Sequence, residues 1–138
     1  MKQLYEIIQI HTKGIDLYDF SEIIKDWVYN ADISNGLLNI SILHTSASII
    51  LQENADSNVL KDLKSFYKKI APFNNNYLHD TEGKDDMPAH IKTSLTNTNL
   101  TVSIIEKKII IGVWQGFYLF EHRIENKNRS IQLHFIGN

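Results

Sequence analysis

The sequence predicts an α+β fold in which mostly antiparallel β-sheets carry two main helices. Four strand-like runs, LTVSII, KIIIGVW, GFYLFEH and SIQLHFI, close the chain with short turns between them, and such close spacing favours antiparallel pairing. Two stretches in the first half place apolar residues at helical spacing. The 138 residues suffice for one ordinary hydrophobic core but not for two. We therefore expect a single compact domain spanning residues 1–138.

The first half of the chain predicts a strand, a helix and a second strand. The run LYEIIQI is rich in β-branched and aromatic residues, which are typical of strands. Gly14 and Asp16 indicate a turn after it. Apolar side chains at helical spacing then predict a helix from about Phe20 to Asn30. The second strand is LLNISIL.

The middle of the chain predicts a second helix followed by a long loop. Asp56 stands where it can cap the helix, and Pro72 ends it. Between them lies one apolar stripe: Val59, Leu60, Leu63, Phe66, Tyr67 and Ile70. The segment from Phe73 to about Thr93 has little apolar content, so we expect a loop. Loops of that length in small domains are usually functional or disordered.

Composition excludes several classes of function. The net charge is −2 and no block of basic residues stands out, which disfavours a nucleic-acid partner. Without cysteine, any metal must be bound by histidine, carboxylate or water, which suits zinc, magnesium or manganese. Neither a secretory signal pattern nor a membrane-spanning stretch is present. We expect a cytoplasmic protein with no membrane partner.

The stretch HDTEGKDDMPAH is the most unusual part of the chain, because His79 and His90 enclose four acidic residues. Acidic loops are often only solvated surface. Here neutral imidazoles offer metal ligands, and neighbouring carboxylates can bind the metal or orient the rings. Gly83 permits a backbone twist, and Pro88 restrains the residue before it to an extended conformation.

Two further blocks carry candidate residues. In HTSASIILQEN, His44 follows a strand and suits a base, a ligand or an anion donor. A purely structural role is an equal alternative, in which His44 caps the strand end and Ser46 stabilises a turn. In GVWQGFYLFEHR, strand alternation places Trp114 and His122 on one face with two other aromatic residues. A packed aromatic face explains most of that block, but it fits the final Glu-His-Arg triplet poorly.

Taken together, these motifs resemble the YjbQ-like family, whose members are commonly labelled secondary thiamine-phosphate synthases. Four blocks carry the resemblance in order along nearly the whole chain: HTSAS with QENAD, YLHDTEGKDDMPAHIKTSL, GVWQG and EHR. One departure is Val113, where the family usually has threonine. The resemblance implies a compact α+β fold assembled as a homotrimer. It also implies a polar, histidine-lined site, within one subunit or at a subunit boundary, on which the histidines of all blocks converge.

The resemblance also implies roles for individual residues. Its motif histidines correspond to positions 44, 79, 90 and 122, and the other candidates lie in the same blocks. The expected catalytic residues are His44 and Asp86. The expected metal ligands are His79, His90 and His122, for one divalent ion. The expected substrate-binding residues are Ser46, Lys92, Trp114, Gln115 and Arg123.

The implied reaction joins a pyrimidine methyl diphosphate to a thiazole phosphate and releases diphosphate. A divalent metal, Lys92 and Arg123 would neutralise the leaving group, while Trp114 or Tyr118 stacks on a ring. Two alternatives stay open. One is a metal-dependent hydrolase with Asp86 or Glu53 as general base. The other is a trimeric protein that binds a metal or a small phosphorylated or heterocyclic metabolite without catalysis.

Two quantitative expectations follow for the metal and for Asp86. Metal binding should weaken below about pH 6, because a protonated imidazole cannot ligate. The Asp86 carboxylate should handle a proton or orient a water at the metal, at a solvated pocket edge. Asp86→Asn should then change stability by less than about 1 kcal/mol and lower turnover roughly 100-fold.

Overall fold

The computed structural model describes residues 1–138 and contains eight strands and three helices. In chain order these are β1 (Lys2–Lys13), β2 (Asp16–Asp19), α1 (Ser21–Asn30), β3 (Gly36–Ile42), β4 (Ala47–Glu53), α2 (Ser57–Ile70), α3 (Asp86–Leu95), β5 (Asn99–Ile105), β6 (Lys108–Ile110), β7 (Gln115–Glu121) and β8 (Asn126–Gly137).

All strand pairs in the fold are antiparallel, which confirms the predicted sheet type. One sheet has five strands in the order β1-β8-β3-β5-β6, and the other has three in the order β2-β7-β4. Of the four closing strands, only β5 and β6 form a hairpin. The strands β7 and β8 follow each other in sequence but belong to different sheets.

One hydrophobic core joins the two sheets and α1. Alternate residues of β3 and β8 point into it, among them Leu38, Ile40, Leu133 and Phe135. In β7, by contrast, every residue from Gly116 to Glu121 is buried. This strand is covered on both faces, because Phe120 packs edge-on against Tyr67 of α2, with ring centroids 5.5 Å apart. Its continuous apolar run therefore reflects a central position.

The helix α3 corrects the prediction of a loop from Phe73 to about Thr93. It begins at Asp86, inside that segment. Pro88 does not hold its neighbour in the extended conformation expected from sequence, because both residues lie in the first helical turn. Amide groups there have no helical partner, so the missing N–H costs nothing. At the start of the helix, the amide of Ala89 donates a hydrogen bond to the carbonyl of Asp85, at 3.0 Å.

The other elements follow the sequence with two additions. The cap of α2 is confirmed, since the Asp56 carboxylate accepts a hydrogen bond from the amide of Asn58 at 2.9 Å. The strand β2 occupies part of the predicted turn, and β4 lies within the block HTSASIILQEN. No helix in the fold combines the length and the apolar character that a membrane crossing requires.

Two apolar surfaces are left uncovered. On the outer face of the five-stranded sheet, Tyr5, Ile7, Leu37 and Ile136 are exposed at positions that alternate with the core residues. The helix α2 has no buried residue, although it carries an apolar stripe. These surfaces are the first candidates for contacts with other chains.

Candidate functional site

The first turns of α3 and the segment before it bring together His79, Asp86 and His90. One ligand atom from each lies within 4.8 Å of the other two. The Nε2 atoms of His79 and His90 lie 2.6 and 3.1 Å from the same oxygen, Oδ2 of Asp86. Asp86 and His90 are four residues apart, so they share one face of the helix. We call these three residues the histidine cluster.

The other carboxylate oxygen of Asp86 is held by Arg123. Its guanidinium donates to Oδ1 of Asp86, to Oδ2 of Asp85 at 2.9 Å and to the carbonyl of Glu82 at 2.9 Å. The backbone of Gly83 turns here with φ +103°, a conformation that confirms the twist predicted for this glycine. Arg123 thus ties the end of β7 to the start of α3 and orients Asp86 toward the two imidazoles.

The protonation of His90 follows from its partners. Its Nδ1 lies 2.8 Å from the carbonyl oxygen of Thr45, which can only accept a hydrogen bond, so Nδ1 carries a proton. In a neutral ring, Nε2 then presents a lone pair to a carboxylate oxygen of Asp86. Two acceptors this close require a proton or a cation between them. A backbone carbonyl behind a histidine is also the usual support of a metal-ligating imidazole.

The charges of the histidine cluster shift the pKa of its members in opposite directions. A hydrogen bond with Asp86 raises the pKa of His79 and outweighs the opposing effect of desolvation. Burial alone would raise the pKa of Asp86, but the bond to His79 and the charges of Arg123 and His90 outweigh it and hold that pKa low. Asp86 is therefore ionised at neutral pH and is a poor general base.

The expectation that Asp86 lies at a solvated pocket edge is wrong. The residue is only 3% exposed, and its carboxylate is shared between a buried guanidinium and two imidazoles. Removal of its charge leaves Arg123 with one fewer anionic partner in a buried setting. The predicted stability change of less than about 1 kcal/mol consequently does not apply.

His122 lies outside the histidine cluster. Its ring is fully buried and stacks on Phe120, with centroids 4.3 Å apart, and its Nε2 is bonded to the Ser48 hydroxyl at 2.9 Å. Its Nδ1 has no hydrogen-bond partner. Burial, with the charges of Lys92 and Arg129, lowers its pKa to about 2, so the ring is neutral. The resemblance implied His122 as the third metal ligand beside His79 and His90. Within one chain, the third potential ligand near those two histidines is Asp86.

His44 and Ser46 are both engaged in structural hydrogen bonds. Nε2 of His44 accepts from the amide of Ser130 at 2.8 Å, and burial followed by the charge of Arg129 lowers the pKa of the ring. The Ser46 hydroxyl lies 3.1 Å from the guanidinium of Arg129. A catalytic role for His44 stays a prediction, and it would have to use Nδ1.

Sequence reasoning missed the buried ion pair of Glu121 and Arg129, which lies beside Ser46. The Glu121 carboxylate accepts from Arg129 at 2.5 and 2.6 Å, from the Thr12 hydroxyl at 2.8 Å and from the amides of His122 and Arg123 at 3.0 Å each. The sequence contained a signal for this pair, because Arg129 is two residues before the buried Ile131 and so points to the same face of the strand. A charge on the core face of a strand requires a buried partner.

The remaining candidates are separated from the cluster. Lys92 is buried on another side of α3, where burial lowers its pKa and Asp85 partly offsets the effect. Trp114 and Gln115 lie at the start of β7, and Gln115 closes a turn through the amide of Gly112 at 2.6 Å. Six residues of strand, about 20 Å, separate them from Glu121. Within one chain, Thr45 and Arg123 bring two other blocks to the cluster, whereas His44, His122 and the block GVWQG lie outside it. Convergence of all the motif histidines on one pocket stays a prediction.

Comparison with known proteins shows the family of this chain. The model of the family described as UPF0047 protein YjbQ-like matches residues 6–138. The chain belongs to the YjbQ-like family. A UPF0047 protein of Synechocystis is 41% identical over 137 residues, covering 99% of this chain and 93% of that protein. The YjbQ protein of Escherichia coli O157:H7 is 46% identical over 99 residues, which is 72% of each chain.

Solved structures confirm the YjbQ-like fold. A YjbQ/UPF0047 family protein of Clostridium acetobutylicum is 30% identical and superposes with a TM-score of 0.83, covering 94% of this chain and 99% of that one. A YbjQ-like protein of unknown function from Sulfolobus solfataricus P2 gives a TM-score of 0.87 at 19% identity, covering 99% and 100% of the two chains. At 19% identity, the similarity to the Sulfolobus protein establishes the fold alone.

Proposed function

We propose that this YjbQ-like protein is a metal-dependent transferase that joins a pyrimidine methyl diphosphate to a thiazole phosphate and releases diphosphate. One observation carries the proposal. The ring nitrogens of His79 and His90 meet a single carboxylate oxygen of Asp86, and the carbonyl of Thr45 at Nδ1 of His90 leaves Nε2 of that ring available to a cation. Two imidazoles and a carboxylate suit a divalent ion, with zinc or manganese favoured over magnesium.

The surroundings of the cluster support catalysis at that place. The side chains of His79 and His90 are 38% and 32% exposed, so a substrate can approach from solvent. A bound divalent ion would supply positive charge to a departing diphosphate. Arg123 keeps Asp86 ionised and pointed at the histidines, while Thr45 fixes the proton of His90 on Nδ1.

A metal-dependent hydrolase is the second candidate. Three protein ligands with an open side are typical of hydrolytic zinc sites. The general base would differ from the two residues that the sequence suggested. Asp86 is engaged by Arg123, and Glu53 pairs with Gln115 at the far end of β4. Glu82 is better placed, because its exposed carboxylate lies 3.0 Å from Nε2 of His79.

Self-association into a homotrimer is part of the proposal. The exposed apolar residues on the outer face of the five-stranded sheet support it, since a closed symmetric assembly would bury them. A second copy would also offer a way to bring Trp114 and Gln115 to a histidine cluster that their own chain does not reach.

Metal content and turnover test the proposal together. Protein purified without a histidine tag should retain stoichiometric divalent metal by elemental analysis. His79→Ala and His90→Ala should each lower the content, and the double variant should abolish it. His11→Ala is the matched control, because His11 is exposed on β1 and away from the cluster.

Substrate requirement separates the two reactions. Synthase activity needs both phosphorylated precursors, whereas a hydrolase turns over a single ester or amide. Either activity should disappear on chelation and return with added metal. Unchanged metal content in the double variant would remove the proposal.

A further inference from the structure

A cavity of about 650 Å³ lies between α2, the segment that follows it and α3. Its volume is within the range of small-molecule sites, roughly 300–1,000 Å³. Aromatic walls are provided by Tyr67, Phe73 and Phe120. None of the three residues of the histidine cluster lines it.

The charge of the cavity is unusual for this chain. Four lysines line it and no carboxylate does, although the whole chain has a net charge of −2. Lys64 is neutralised by Asp16 at 2.8 Å. Lys61, Lys68 and Lys92 form no ion pair. Three lysines without an ion-pair partner therefore line one partly open cavity: Lys92, which is buried, and Lys61 and Lys68, which are exposed.

Lys92 is the most informative of these groups. The residue is only 3% exposed, and its ammonium forms neither a salt bridge nor a hydrogen bond with the rest of the chain. Its Nζ lies 5.9 Å from the centroid of the Phe73 ring, at the wall of the cavity. Its Nζ therefore has free hydrogen-bond donors at the wall of the cavity, in a residue that is otherwise removed from water. An anion in the cavity would satisfy its hydrogen-bond donors.

Helical geometry separates this group from the histidine cluster. Asp86 and His90 are one turn apart on α3, whereas Lys92 follows His90 by two residues and projects from another side of the helix. The cavity and the cluster are thus two places served by one helix.

We propose that this cavity binds a small phosphate monoester with a planar ring. The three free ammonium groups match a dianion, and the aromatic walls match a flat apolar body. Ser65 and Asn74, which also line the cavity, offer further hydrogen bonds to such a ligand. The inference stands on the cavity alone and does not depend on a metal at the cluster or on the proposed reaction.

Phenyl phosphate is the probe for this site. Calorimetric titration of the full chain in the presence of EDTA, which removes any metal from the cluster, should show saturable binding. Inorganic phosphate should bind more weakly because it does not contact the aromatic walls, and phenol should bind more weakly because it has no charge. Absence of saturable binding of phenyl phosphate at millimolar concentration would overturn the proposal, and so would equal affinity for inorganic phosphate.

Matched lysine variants locate the binding. Lys92→Met and Lys68→Gln should each weaken phenyl phosphate about 10- to 100-fold, the range for losing a hydrogen bond to a charged group. Lys69→Gln removes the same charge from α2 outside the cavity and should change affinity by less than about 2-fold. If Lys92→Met does not fold, the comparison of Lys68→Gln with Lys69→Gln decides. An equal effect of the two would overturn the proposal.

A histidine variant separates the cavity from the cluster. His79→Ala should leave the affinity for phenyl phosphate unchanged in EDTA. Loss of binding in His79→Ala with retention in the lysine variants would place the ligand at the cluster and overturn the inference. A wild-type protein that holds no divalent metal before EDTA is added, but binds phenyl phosphate, would instead remove the proposed function alone.

Discussion

Asp86→Asn is the sharpest test of how the site is built. The substitution keeps shape and size, but it removes the negative charge that Arg123, His79 and His90 share. Arg123 retains Asp85 and the carbonyl of Glu82, each at 2.9 Å. The loss is therefore that of one charge-assisted hydrogen bond in a buried setting, about 2 kcal/mol. This value is larger than the change expected from sequence.

The melting temperature converts this loss into a measurable quantity. A chain of 138 residues has an unfolding entropy of roughly 0.3 kcal/mol/K, so about 2 kcal/mol corresponds to a decrease of about 7 °C. The measurement is thermal unfolding of metal-free protein at pH 7. Asp80→Asn is the control, because Asp80 lies in the same loop but is exposed. It should shift the midpoint by less than about 2 °C.

The dependence of this difference on pH identifies its cause. The pKa of Asp86 is held below its usual value of 3.8 in the folded protein. Its contribution to stability is present above that value and is lost as the pH falls through the folded pKa. Wild type and Asp86→Asn should therefore differ at neutral pH and converge below pH 3.8. Equal melting temperatures at pH 7, or a difference that persists in acid, would refute the ion-pair reasoning.

Three further outcomes are expected. As the pH is lowered, metal affinity should begin to fall while the pH is still above 6.5, because the bond to Asp86 raises the pKa of His79 above that usual value and a metal must displace the proton. Zinc titrations at several pH values check this, and a midpoint below pH 6 would contradict it. Glu121→Gln should cost about 3–5 kcal/mol in chemical denaturation, because it leaves Arg129 buried without its carboxylate; a loss under 1 kcal/mol would show that the pair is dispensable. Light scattering should find a trimer for the wild type and a smaller species for Tyr5→Glu, and a wild-type monomer at micromolar concentration would exclude the trimer.

Local sequence patterns predicted the helices that have strong periodicity and missed the one that does not. The residues of α1 and α2 repeat apolar side chains at helical spacing. In α3, polar residues and a proline conceal the helix, because its buried groups include Asp86 and Lys92. Charged residues are buried there only because partners from distant segments reach them, and spacing along the chain does not contain that information.

Sheet order was equally beyond local sequence. Strand β1 pairs with β8 from Lys2 with Gly137 to Lys13 with Asn126, across most of the chain. Nothing in either strand specifies the other as its partner. The residues of the histidine cluster were easier to predict from sequence, because His79 and His90 stand out in an acidic stretch. The carbonyl of Thr45 that sets the proton of His90 belongs to another segment and becomes visible only in three dimensions.

The helix α3 serves the histidine cluster from one side and the lysine-lined cavity from another, and this geometry has a thermodynamic consequence. Asp86, His90 and Lys92 lie within two turns of one helix, so any displacement of α3 that a metal would cause at the cluster would also move Lys92. If a metal changes the affinity of the cavity for an anion, the anion must change the affinity of the cluster for the metal by the same factor. The two sites are thereby candidates for reciprocal allosteric coupling, with a single rigid helix as the element that both ligands bias.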